Sequence, residues 1–218
     1  MTAVRTVVAM PGTLEGTMNT FAQTAALLPA FDWLVTEMPP GYQNRVAEIR
    51  RLSDDLKAMD RFGRLLCEVG PQLTEAVRDT FVALKYDTES RPGSPDSEVM
   101  VKLDSKRRLL IHVSAAESTI QKKGEELAHV FQMLHESTDD ADRAVLVANS
   151  DPATRPADRA EGISPDALSF LKRMGANFLA APTLFKLWML SLQDQERARK
   201  HIERLYAQDG GIFLLPPS

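Results

Sequence analysis

The chain has 218 residues, 44% hydrophobic and 26% charged, enough for one well-filled domain with an extension. Its 30 acidic residues outnumber its 26 basic ones for a formal net charge of -4, which excludes a surface built throughout to hold nucleic acid but leaves room for a local basic face. The single cysteine, Cys67, excludes an internal disulfide and a multi-cysteine metal centre, and charges or prolines interrupt every apolar run short of the ~18 residues a membrane span needs.

Val4, Val7, Val8 and Met10 read as a short strand stopped by Pro11-Gly12. That apolar run is too short and too weakly basic for a secretory leader, so the expected location is the cytoplasm, without a membrane partner. Leu14, Met18, Phe21, Ala25 and Leu28 share one face of a helix closed by Pro29. Gly12 and Gly16 make only a fragment of a dinucleotide-binding turn, because the third glycine is missing. Residues 31–38 read as a second strand, followed by the turn Pro39-Pro40-Gly41. A helix from Arg45 carries Val46, Ile49, Leu56 and Met59. Residues 1–60 are therefore expected to form an N-terminal α/β extension, with no role assigned, and residues 61–218 the main domain.

Phe62, Leu65, Leu66 and Val69 form one helical stripe and Leu73, Val77, Phe81 and Leu84 another, separated by Gly70-Pro71. Cys67 falls in the run Leu65-Leu66-Cys67 and reads as a buried structural thiol. Residues 86–93 are turn-rich. Val99, Val101 and Leu103 then alternate with polar residues as a half-buried strand does, and Asp104-Ser105-Lys106 supplies a hairpin turn. Leu109, Leu110, Ile111 and Val113 form the more deeply buried return strand. Ile120, Gly124, Leu127, Phe131 and Leu134 lie on one side of a helix ending before Asp139, with Ile120, Leu127 and Phe131 expected over the hairpin.

Residues 144–148 have the size and composition of a central parallel strand. The loop 149–162 is polar, and Ser164 caps a helix with Pro165 in its first turn. Residues 177–180 read as a strand and 182–207 as one long helix. Leu184, Leu187 and Trp188 should anchor the first half of that helix, while the polar residues 193–200 should project into solvent or a partner. Residues 212–215 are expected as an edge strand. The predicted fold class is α/β, a mixed β-sheet flanked by helices.

Several local features occur in a recognisable order. Leu65-Leu66-Cys67-Glu68-Val69-Gly70-Pro71-Gln72-Leu73 leads into a helix ending Leu84-Lys85-Tyr86, and Pro95-Asp96 stands ahead of the hairpin. Leu110-Ile111-His112-Val113-Ser114 lies on the return strand. Ala144-Val145-Leu146-Val147-Ala148-Asn149, then Pro156 and Arg159, and finally Thr183-Leu184-Phe185 follow. In this order residues 62–188 resemble the PD-(D/E)XK superfamily, the fold of many restriction and repair nucleases. The resemblance implies a restriction-endonuclease-like core. It also implies a site in which two carboxylates hold a divalent metal and a lysine orients the attacking water.

Against that pattern, Asp96 keeps the first acid, His112 replaces the second and Ser114 replaces the lysine. The expectation is a non-catalytic nuclease-fold protein without a cofactor, acting by binding a protein partner or nucleic acid. An alternative keeps an active Mg²⁺-dependent nuclease, with Glu125 or Glu126 as a migrated acid and Lys122 or Lys123 as the ammonium group. The same four residues also read as a solvated helix face with i,i+3 and i,i+4 charge pairs. A third expectation is a structural homo-oligomer paired through a sheet edge and the C-terminal helix.

The candidate catalytic residues are thus Asp96, His112, Ser114, Lys123 and Glu126, with Asp96 the candidate metal ligand. His112 as a ligand for a softer metal lacks a second histidine at local spacing, and His129 and His135 are too far apart for an i,i+4 pair. Asp139, Asp140 and Asp142 lack the glycine and closing glutamate of a calcium loop. Arg155, Arg159, Lys172 and Arg173 are candidate phosphate contacts, or ordinary surface charge.

Overall fold

The structure, a computed structural model, describes residues 37–90, 95–137 and 139–216. The strand and helix expected over residues 4–28, and nearly all of the strand expected over 31–38, lie outside the described residues. The chain divides into two compact units, Met1–Ala58 and Met59–Ser218, with the boundary inside helix α1 (Tyr42–Cys67). In the first unit the turn at Pro39 is closed by the Tyr42 N–H donating to the Pro39 carbonyl at 3.1 Å, with Gly41 at φ +86°. The helix expected from residue 45 and the stripe starting at Phe62 belong to this one helix.

In the second unit, α1 ends at Cys67 and Gly70 (φ +61°) turns the chain into α2 (Gly70–Ala83), with Pro71 in its first turn. The strands are β1 (Asp87–Glu89), β2 (Glu98–Lys102), β3 (Arg108–Val113), β4 (Asp142–Ala148), β5 (Asn177–Ala180) and β6 (Gly211–Ile212). They lie in one sheet in chain order, and β2 alone runs antiparallel to its neighbours. Helix α3 (Glu125–Glu136) crosses from β3 to β4, α4 (Pro165–Arg173) crosses from β4 to β5, and α5 (Ala181–Gln193) with α6 (Gln195–Ala207) joins β5 to β6.

Strand alternation sorts the core into two faces. Ile111, Val113, Val145, Val147 and Leu179 pack with residues of α2, α5 and α6, whereas Leu110, Leu146, Ala148 and Phe178 pack with α3 and α4. Helices on both faces are what the fully apolar β3 and β4 demand, since each buried Leu, Ile or Val contributes roughly 1.5–3 kcal/mol. No described helix is long and apolar enough to cross a membrane.

Several expectations are corrected. The turn-rich segment contains the exposed edge strand β1. Helix α3 starts at Glu125, not near Ile120, which instead bridges Ile163. With that start the buried residues of α3 are Leu127, Val130 and Met133, and Phe131 is 55% exposed. The long C-terminal helix is broken at Asp194 (φ -149°), whose N–H donates to the Leu190 carbonyl and whose carboxylate accepts from the Arg197 N–H at 2.9 Å. Residues 193–200 are at the surface as expected except for Ala198, which with His201, Ile202 and Leu205 forms the buried face of α6. Cys67 is exposed at the last residue of α1, not buried.

Candidate functional site

The even-numbered residues of β3 continue the face covered by α3. His112 is 4% exposed and Ser114, just past the strand, is fully buried. Register sets His112 opposite Glu98 on β2 and Leu146 on β4, so the buried Glu98 shares its level in the sheet. Helix α3 lays His129 over His112, with ring centroids 5.1 Å apart and planes 27° from parallel. Burial, and secondarily the neighbouring His129, push the His112 pKa down to about 4. Its imidazole is neutral at pH 7, and its Nδ1 has no hydrogen-bond partner among the described residues.

Ser114 is held from three sides. Its N–H donates to the Val147 carbonyl at 2.8 Å, its Oγ accepts from the Ala116 N–H at 3.0 Å, and its hydroxyl donates to Glu126 Oε1 at 3.4 Å. Asp96 is exposed in the turn before β2. The Val113 N–H donating to the Ser97 carbonyl at 2.8 Å places Asp96 one residue outside that pair. Lys122 and Lys123 are exposed in the turn ahead of α3, and Glu125 is exposed at its first residue.

The structure thus brings His112, Ser114 and Glu126 together, adds Glu98 and His129, and leaves Asp96, Lys122, Lys123 and Glu125 at the surface. Mg²⁺ takes an octahedron of oxygens, usually from carboxylates and water. The imidazoles at this end of β3 do not fit that cation, and among the described residues no three His, Cys, Asp or Glu side chains gather into a ligand set.

Glu98 and His129 were not expected at the site. The signal for Glu98 was its parity with Met100, which puts both on the α3 face once the strand begins at Glu98. His129 had no local signal, because its partner lies on another element.

The four candidate phosphate contacts are not gathered. Arg159 donates to the carbonyls of Thr154 (2.7 Å), Leu66 (2.6 Å) and Pro152 (3.3 Å) and to Asn149 Oδ1 (2.6 Å). Asn149 in turn donates to the Glu68 carbonyl at 2.8 Å, so this pair ties the loop after β4 to the end of α1. Arg155 is exposed on the same loop. Lys172 and Arg173 fall in the last turn of α4. A crossover helix runs back from the carboxyl end of one parallel strand to the amino end of the next, so these two lie toward the opposite edge of the sheet.

A cavity of about 500 Å³ opens where β4 and β5 end, between the loop 149–162 and the first turns of α5. Comparison of the chain with protein-family models, with curated proteins and with solved structures found no match.

Proposed function

We propose that this chain is a non-catalytic protein built on a restriction-endonuclease-like core of the PD-(D/E)XK kind, and that it acts by binding a partner macromolecule. The element order supports the core: a helix, an antiparallel hairpin, a crossover helix and a parallel strand follow one another as the resemblance requires. The observation that carries the functional reading is His112. At the position of the second acid stands a buried, neutral imidazole stacked on His129, beside a serine whose hydroxyl is already engaged. Metal-assisted hydrolysis would need an acid at that strand position and an ammonium group beside it, whereas the cluster has an imidazole there and Lys122 and Lys123 stay at the surface.

A net charge of -4 and the separation of the four candidate cations favour a protein partner over a long nucleic-acid tract. One face of α6 packs against the protein's own core, which leaves the oligomerisation reading its outer, charged face and the sheet edge.

One contact favours the metal-dependent nuclease as a second reading: Glu126 brings a carboxylate to the end of the signature strand. Incubating the full chain with plasmid DNA and with single-stranded RNA in Mg²⁺ or Mn²⁺ separates the two. We expect no cleavage above the buffer control. Metal-dependent cleavage that disappears in Asp96→Ala and in Glu126→Ala or Glu125→Ala would establish the nuclease reading in its place.

A further inference from the structure

Open α/β sheets take ligands beyond the carboxyl ends of their parallel strands, where loops diverge. In this chain β4 and β5 end in the small side chains Ala148 and Ala180, and the space above them is the 500 Å³ cavity. That volume lies within the range of small-molecule sites. Phe178, Ile212, Phe185 and Met189 are among its lining residues, so an entering body meets apolar and aromatic surface. Met189 is 47% exposed and Leu214, also lining the cavity, 67% exposed, which leaves apolar surface open to solvent at the mouth.

The charges around this apolar space are unbalanced. Arg155 and Lys186 line it, and neither side chain has a hydrogen-bond or ion-pair partner among the described residues. Arg159 also lines it and spends its guanidinium on carbonyl oxygens alone, so no carboxylate neutralises its charge. Against these three cations the lining supplies one carboxylate, Glu161. On a chain with a net charge of -4, this apolar cavity gathers three cations against one carboxylate, and two of the cations are unpaired among the described residues.

We propose that this cavity binds a compact organic anion, with an apolar or aromatic body against Phe178, Phe185 and Met189 and an anionic group held by Arg155 and Lys186. A carboxylate and a phosphate monoester share the chemistry that these two side chains recognise. None of Asp96, Glu98, His112, Ser114, Glu126 or His129 lines the cavity, so the site stands whether or not the end of β3 is inert.

The test titrates the full chain with 8-anilinonaphthalene-1-sulfonate, an aromatic anion that fluoresces when its body is buried. Decanoate and adenosine 5′-monophosphate then serve as competitors. We expect saturable binding at one site and displacement by at least one competitor, and the one that displaces identifies carboxylate or phosphate. Arg155→Glu and Lys186→Glu should each weaken binding by roughly tenfold, the scale of one charge-assisted hydrogen bond. Lys172→Glu, toward the far edge of the sheet, should leave it unchanged. All three positions are exposed, and an unchanged thermal midpoint checks that each variant is folded. Absence of saturable binding, failure of both competitors, or an equal loss in Lys172→Glu would each overturn the proposal.

Discussion

The end of β3 and the cavity beyond β4 and β5 occupy the same edge of one sheet and treat their polar groups in opposite ways. At β3, His112, Ser114 and Glu98 are buried and covered by α3, and the imidazole gives up its charge. Above β4 and β5, Arg155 and Lys186 stay exposed and unpaired beside apolar surface. A covered polar cluster can be reached only by local opening, whereas an uncompensated charge beside an open cavity has interaction energy left for a ligand. Unpaired charge beside apolar surface thus lies beyond β4 and β5 and not at the end of β3.

The largest effect should come from the buried side of α5, the helix that supplies Phe185, Lys186 and Met189 to the open region. Trp188 is 7% exposed, stacks on Phe62 at 4.4 Å between centroids and meets Phe185 at 5.3 Å. Trp188→Ala should lower unfolding free energy by about 3–5 kcal/mol in a urea titration. A loss below about 0.5 kcal/mol would show that α5 is not anchored to the core.

The covered region should announce itself through pH. The His112 pKa is about 4 when folded against the ordinary histidine value of 6.5, so between these values the unfolded chain binds the extra proton. Stability from this group is complete above pH 6.5 and is lost as pH falls through 4, a change on the order of 3 kcal/mol. His112→Phe should flatten that part of the stability profile while leaving stability near neutral pH within about 1 kcal/mol, since no partner of Nδ1 is lost. If the variant and the parent keep parallel profiles from pH 7 to 4, His112 is not the group responsible.

Arg159 lines the cavity and ties its loop to α1. Arg159→Met keeps the aliphatic stem but leaves Asn149 Oδ1 and the Leu66 carbonyl without their charged donor. We expect a loss of about 2 kcal/mol and faster amide exchange in the loop 149–162. Unchanged exchange there would separate the loop from α1. The smallest effect belongs to α3, where Phe131→Ser should stay within about 0.5 kcal/mol while Met133→Ala costs about 2–5 kcal/mol. Equal losses would restore the expected register of that helix.

Features governed by local chemistry were legible in the sequence. The hairpin follows from alternation in β2 and from Asp104, whose Oδ1 accepts the N–H groups of Lys106 and Arg107 at 2.8 Å each. Ser164 caps α4 as its identity and the following Pro165 suggest, accepting from the Ala167 N–H at 3.4 Å. The break at Asp194 was hidden because one capping aspartate sits among residues that all favour helix. Phe131 was misplaced because moving a helix start by a few residues changes which stripe faces the sheet. Glu98 and His129 join His112 only through sheet register and helix packing, and the dispersal of Lys172 and Arg173 from Arg155 follows from the path of a crossover helix. Neither depends on spacing along the chain.

The proposed function rests on a covered, uncharged imidazole at His112, and NMR titration of the four histidine rings tests it most directly. The account predicts that His112, assigned by its absence in His112→Phe, stays neutral until pH approaches 4 and does not shift on addition of Mg²⁺ or Mn²⁺. A His112 that titrates near 6.5, or moves when either metal is added, would contradict it and place an open, metal-responsive site at the end of β3.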